Sequence, residues 1–269
     1  MGHVLKRDGL MFCNNRWAGE RGSLFVKHGP PTCTWWTTHE GPADPTFPVS
    51  APLVAFGNFW GNNSENSPLP VKLSDIEVLK ASLSVTLPTN LCLAAQMKTK
   101  QGGAALPAGQ GHMFRVYWQL YFSDTPAGAK YNQGDFAPTV FAANCSPTWW
   151  ASDAGRCELD GKKWKVCDAK TSSGMGRYII PLLEPYLTPD ADGKIEIKDV
   201  DLKAMLDWCI AKGFYQPDHY LVFCSAGWEI WILDQDMRMN DIAFTIQQKG
   251  KPAVTIPAWT KLMGVQTGR

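Results

Sequence analysis

Hydrophobic and polar residues alternate with a period of two along much of the chain, and turn-forming residues interrupt the alternation at short intervals. Between His112 and Phe122, Phe114, Val116, Trp118, Leu120 and Phe122 fall on one side of an extended backbone. Arg115, Tyr117, Gln119 and Tyr121 fall on the other. Both sets are bulky, so both faces of this strand carry large groups. The same reading predicts strands over 53–60, 76–87, 136–142, 163–168, 177–183, 220–233 and 241–247, separated by segments rich in Gly, Pro and Asn. That spacing belongs to a β-sandwich or jelly roll.

One segment has helical periodicity instead. Leu202, Met205, Leu206, Cys209 and Ile210 fall at i, i+3, i+4, i+7 and i+8, with Asp199 or Asp201 available as N-cap and Gly213 placed to end the helix. It is expected to pack on the outer face of a sheet. The Gly- and Ala-rich stretch 99–110 reads as a loop. With no internal repeat, and a length that can bury one sizeable core, residues 1–269 are expected to form a single domain.

Composition narrows the partners. Lysine plus arginine is 26 against 25 for aspartate plus glutamate, and the signs are interspersed, which argues against a charge-driven nucleic-acid or anionic-membrane surface. No apolar run reaches the roughly 18 residues of a membrane span. The start, 1–15, lacks the apolar stretch of a secretion signal, so either the chain is cytoplasmic or a signal has been removed. Eight cysteines without a CxxC pair disfavour a zinc site and permit disulfides; Cys13 with Cys33, and two among Cys145, Cys157 and Cys167, are the candidates. Cys209 and Cys224, in periodic apolar segments, read equally well as buried thiols. No metal site and no cofactor motif is expected: Asp190-Ala191-Asp192-Gly193 lacks the spacing of a calcium loop and reads as a turn. Asn62-Asn63-Ser64 fits a glycosylation acceptor, a pattern common by chance.

Glu229 is the residue with the most chemistry around it. It lies in an aromatic strand between Trp228 and Trp231. Indole faces stack on pyranose rings, and a desolvated acid can keep its proton, so this is the local chemistry of a sugar-cleaving or sugar-binding cleft. Trp17, Trp60, Trp231 and Phe141 are candidate stacking platforms, each of which could equally fill the core. Of the adjacent pairs Trp35-Trp36 and Trp149-Trp150, one member each would point inward on a strand. His219 has no Ser or Asp pattern around it to suggest a nucleophilic triad.

In their order, these features resemble glycoside hydrolase family 12, endoglucanases and xyloglucanases with a two-sheet jelly roll and one helix. The resemblance covers roughly 12–247. Asn14-Asn15-Arg16-Trp17 is similar to the family's Asn-Asn-x-Trp, with Cys33 where many members place the second half of an early disulfide. Phe59-Trp60-Gly61 falls at the family's Trp-rich cleft strand. Val116-Tyr117-Trp118-Gln119-Leu120-Tyr121 resembles Val-Ala-Tyr-Asp-Leu-Phe, and Leu159-Asp160-Gly161-Lys162-Lys163-Trp164 the Gly-Gly-x-x-Trp turn. Leu202 to Glu229 follows the family's helix and the Gly-x-Glu that carries its acid/base.

The resemblance implies an all-β, concanavalin-like sandwich with one packed α-helix, an extracellular setting, and a concave cleft for an extended β-linked glucan. It also implies two replacements. Phe136-Ala137-Pro138-Thr139-Val140-Phe141 stands where the family has Tyr-Glu-Leu-Met-Ile-Trp, so Ala137 takes the nucleophile's place, and Gln119 takes that of the supporting aspartate. The expectation is an endo-β-1,4-glucanase-like scaffold with Glu229 as general acid, and with hydrolysis impaired or rerouted through Asp135 as the base of an inverting pair. Asp135 could also simply cap the Gln133-Gly134 turn. The alternative is a non-catalytic glycan-binding or structural assembly protein that reuses the sandwich.

Overall fold

A computed structural model describes residues 4–7, 10–16, 23–29, 32–38, 50–88, 113–127, 134–143, 151–170, 176–232 and 237–256. The strands of the first half are β1 (Val4–Arg7), β2 (Leu10–Arg16), β3 (Ser23–Gly29), β4 (Thr32–Thr38), β5 (Ser50–Phe59), β6 (Asn62–Asn63), β7 (Val71–Lys72), β8 (Ile76–Thr86) and β9 (Met113–Ser123). Then come β10 (Gly134–Phe136), β11 (Thr139–Ala143), β12 (Ser152–Leu159), β13 (Lys162–Lys170), β14 (Arg177–Glu184) and β15 (Lys194–Asp201). Helix α1 (Leu202–Ala211) precedes β16 (Tyr220–Ile232), β17 (Met237–Gln248) and β18 (Val254–Ile256).

Two sheets form the sandwich. The first runs β1-β2-β5-β16-β9-β10-β14-β13-β12, with β11 between β9 and β14; the second runs β15-β8-β17-β4-β3, with β18 on β17. Between them lies the main core. The alternation of β9 delivers Phe114, Val116, Trp118, Leu120 and Phe122 into it, against Leu83 and Val85 of β8 and Phe244 and Ile246 of β17. The opposite face of β9 is covered as well: Tyr117 and Tyr121 pack with Met11, Leu53, Ala55, Ala137, Val222 and Phe223. Strands β9 and β16 are therefore buried on both sides, which is why they are apolar or aromatic at nearly every position.

Three local details differ from the sequence reading. The expected strand 136–142 is two strands, because Pro138 has no N–H to donate and separates β10 from β11. A register shift between Thr139 and Phe141 then turns Phe141 into the inter-sheet core, 5.9 Å from the ring of Phe114, rather than onto the cleft face. Helix α1 does not lie on an outer face. It packs against β8 and β12, one strand from each sheet, and its buried Leu202, Met205, Leu206 and Cys209 join the inter-sheet core. Because α1 follows directly from the edge strand β15, it closes the open side of the sandwich facing the other edge, β12.

The disulfide candidates are not paired. Cys13 is a free thiol on β2, and β2 and β4, which carries Cys33, belong to different sheets. Cys157 lies opposite Trp164 and Cys167 opposite Asp153 on the β12–β13 ladder, and both are free. Cys145 and the loop 99–110 lie outside the described residues. Burial pushes the Cys13 thiol up to about 12 and the Cys157 thiol to about 11, so both remain protonated.

The helix gives a graded stability prediction. Asp201 caps it by accepting from the backbone N–H of Ala204 at 2.9 Å, whereas Lys203 and Asp207 form an exposed i,i+4 pair. Chemical denaturation should show Leu206→Ala losing about 2–5 kcal/mol, Asp201→Ala about 1 kcal/mol, and Lys203→Ala less than about 0.5 kcal/mol.

Candidate functional site

The face of the first sheet that points away from the core carries the candidate site. Glu229 on β16 is directly opposite Arg115 on β9, and both side chains are on this face, since Trp228, Ile230, Phe114 and Val116 take the alternate, core-facing positions. Arg115 is 0% exposed and Glu229 5%. Among the described residues the guanidinium donates to three partners: Nε to the Glu229 carboxylate, Nη2 to the Tyr178 hydroxyl, and Nη1 to Thr139 Oγ1 at 3.4 Å. It also lies 4.7 Å from the ring centroid of Tyr117. A planar, permanently charged group with several donors suits this junction as lysine would not.

These contacts reveal the shape of the face. Tyr178 on β14 sits level with Asp135 and hence with Tyr121 of β9, six positions from Arg115 and two strands away. Six positions of extended strand are about 20 Å. On a flat sheet the Arg115 and Tyr178 side chains could not meet, so the sheet bends toward this face, which is concave.

Asp135 lies on the same face, 5% exposed. Gln119 Nε2 donates to its Oδ2 at 2.8 Å, while Oδ1 is buried with no partner among the described residues. Desolvation pushes this carboxyl from 3.8 to about 8; the Gln119 hydrogen bond and the Arg115 charge pull it down, and the Glu229 charge adds to the rise. Burial also raises the Glu229 carboxyl above its ordinary value, opposed by the charge and hydrogen bond of Arg115. Protonating Glu229 would leave a buried guanidinium without its counter-charge, so the pair holds Glu229 as the anion. Burial raises the Tyr117 and Tyr178 phenols well above their usual range, keeping them neutral.

The remaining sequence candidates are dispersed. Gln119 is beside Asp135, as described. Trp231, two residues beyond Glu229, is 1% exposed and presents no open ring face. Trp60 is 41% exposed in the left-handed turn after β5. Since Ser50 pairs with Ile230, Trp60 is about ten residues, or roughly 33 Å of strand, from Glu229. Phe141 is in the core and Trp17 lies outside the described residues. Asp190 forms the expected turn, its Oδ1 accepting from the backbone N–H groups of Asp192 and Lys194. No cluster of His, Cys, Asp or Glu among the described residues could hold a metal ion. Arg115 and Tyr178 were not singled out by sequence. The available signal was a lone arginine on the polar-side alternation of an otherwise aromatic strand.

No family model and no curated protein sequence matches the chain. Solved structures do. Endoglucanase cel12A from Rhodothermus marinus aligns over 92% of this chain and 96% of its own, with a TM-score of 0.71 at 20% identity. A family 12 xyloglucanase from Bacillus licheniformis aligns over 91% and 97%, with a TM-score of 0.66 at 11% identity. The xyloglucanase domain of NopAA, a type three effector from Sinorhizobium fredii solved with cellobiose, aligns over 91% and 96%, with a TM-score of 0.63 at 18% identity. The fold is thus the two-sheet jelly roll of family 12 glycoside hydrolases.

Two predictions follow from the electrostatics of this face. Breaking the buried pair on one side, by Arg115→Met or Glu229→Leu, should cost about 3–5 kcal/mol in denaturation, and the double variant less than the two single losses combined. Asp135 binds its proton more tightly folded than unfolded. Stability should therefore fall as pH rises from about 4 to about 8, and Asp135→Asn should flatten that decline.

Proposed function

We propose that this chain is a non-hydrolysing, β-glucan-directed protein on the family 12 sandwich, in which a buried Arg115–Glu229 ion pair occupies the place of a reacting carboxylate pair. The ion pair is the observation that carries the proposal. Retaining hydrolysis needs a nucleophilic carboxylate about 5 Å from a proton-bearing acid. Ala137, which the family resemblance sets at the nucleophile's position, offers a methyl group that is 0% exposed. Glu229, tied to a guanidinium, serves as counter-ion to Arg115 and not as a proton donor.

The route through Asp135 meets the same obstacle. An inverting pair with Glu229 as acid and Asp135 as base needs the proton on Glu229; burial raises both carboxyls and Arg115 opposes the rise at each, but only Glu229 takes the guanidinium's hydrogen bond, which favours its anion. The glucan part of the proposal is supported by the fold, which is shared with family 12 endoglucanases and xyloglucanases, one of them solved with cellobiose. A second reading is favoured by one observation, the buried and unpartnered Oδ1 of Asp135. It is weak inverting hydrolysis with the roles exchanged, Asp135 donating the proton and Glu229 acting as base.

Affinity electrophoresis in soluble β-1,4-glucan and in xyloglucan, run beside a reducing-end assay, separates these readings. Retarded migration is expected, with no reducing-end release above a level several powers of ten below an active hydrolase. Release that disappears in Asp135→Asn would establish the second reading. Release that survives in Asp135→Asn and vanishes in Glu229→Gln would contradict both. Absence of retardation and of release would refute the glucan-directed role and leave a structural one.

A further inference from the structure

At the other end of the same strands is a cavity of about 470 Å³, between β5 and the segments 63–70 and 126–127. It is lined in part by Asn58, Asn63, Asn66, Ser67, Pro126 and Val222, and among the described residues no ionisable side chain contributes to its wall. Val222 is seven residues from Glu229 along β16, about 23 Å of extended strand. The cavity is therefore separate from the ion-paired site, and its interpretation does not rest on the reading given to that site. We infer that it is a binding site for a neutral saccharide, of a size that admits one or two sugar rings.

The walls are built before any ligand arrives. Ser64 Oγ accepts from the Gly57 N–H at 2.9 Å, and the Ser64 N–H donates to the Gly57 carbonyl at 2.9 Å, folding the turn after β5 back onto its strand. Gly57 is required there: its φ is +96°, and a Cβ would lie 2.3 Å from the Val222 carbonyl oxygen. Asn58 links two walls, accepting from the Gly61 N–H at 3.0 Å and donating to the Ala127 carbonyl at 3.3 Å. Ser67 Oγ accepts from the Leu69 N–H at 3.1 Å, and Gln248 holds the adjoining Pro68 carbonyl at 3.1 Å. A cavity whose shape is held by its own hydrogen bonds loses little entropy on binding.

Its chemistry selects the ligand class. The described residues of the wall include no lysine or arginine to hold an anion and no carboxylate to hold a cation. The amides of Asn63 and Asn66 are exposed and make no hydrogen bond among the described residues. Each offers a donor and an acceptor together, matching the dual character of a sugar hydroxyl. Pro70 and Pro126, both exposed, supply apolar surface for the C–H faces of a ring. The volume falls within the roughly 300–1,000 Å³ of small-molecule sites.

The test is a titration of the ¹⁵N-labelled protein with cellobiose, with citrate and spermidine as anionic and cationic controls. The side-chain amides of Asn63 and Asn66 should shift saturably with cellobiose and not with the controls. The double variant Asn63→Ala, Asn66→Gly should weaken the response about tenfold or more with an unchanged melting temperature; glycine suits position 66 because its φ is +53°. A non-saturable response, an equal response to citrate or spermidine, or full cellobiose affinity in the double variant would each overturn the site. Loss of this response with polymer retardation intact would refute the cavity alone, and the converse would refute only the reading of the concave face.

Discussion

A guanidinium that never gives up its proton, buried at 0% exposure, must be met by a negative charge, and Glu229 meets it across one rung of the β9–β16 ladder. The rest of the concave face is arranged around that requirement. Tyr178 and Thr139 accept from the guanidinium's two Nη groups, Tyr117 lays its ring beside the cation, and the sheet bends far enough to bring β14 within reach of β9. Two buried carboxyl groups share the face, and the arginine contacts only one of them. The asymmetry divides their roles: Glu229 carries the charge and Asp135 keeps the proton.

The same sheet explains why such a pair is tolerated. Its other side is the inter-sheet core, closed at the open edge by α1, so β9 and β16 are anchored by aromatic and aliphatic packing independently of the polar face. A rigid, well-packed sheet can hold charged groups in the geometry that repays their desolvation. Among the described residues, this face sets its buried guanidinium against Glu229 in a structural contact. The cavity at the far end of β5 and β16 differs in kind: its described walls carry no charge and are fixed by hydrogen bonds of backbone, hydroxyl and amide groups, and the amides of Asn63 and Asn66 are unused among the described residues.

Much of the fold was legible in the chain because burial on both sides writes itself into residue type. The alternation of β9 predicted which side chains enter each layer, and the period of α1, with Asp199 or Asp201 as cap, predicted the helix, which Asp201 caps. Strands at the margins were harder to see. β12 has a mostly polar edge sequence, SDAGRCEL, and β15 is a short alternation beside the helix signal. The site was only partly legible. Glu229, Gln119 and Asp135 fall on the predicted face, but Arg115 matters only through a partner 114 residues away, and pairing at that distance has no local signature. Phe141 and Trp60 were misplaced by a register shift and a left-handed turn, each of which changes direction without changing hydrophobic pattern.

The central claim is that Arg115 holds Glu229 as an anion while Asp135 keeps its proton. Carboxyl-selective ¹³C NMR across pH 5–9 tests it most directly. The expected spectrum has Asp135 releasing its proton near pH 8, with Glu229 already a carboxylate at lower pH. A spectrum in which Glu229 retains its proton at a pH where Asp135 is ionised would contradict the account, because that is the order required for Glu229 to act as the general acid.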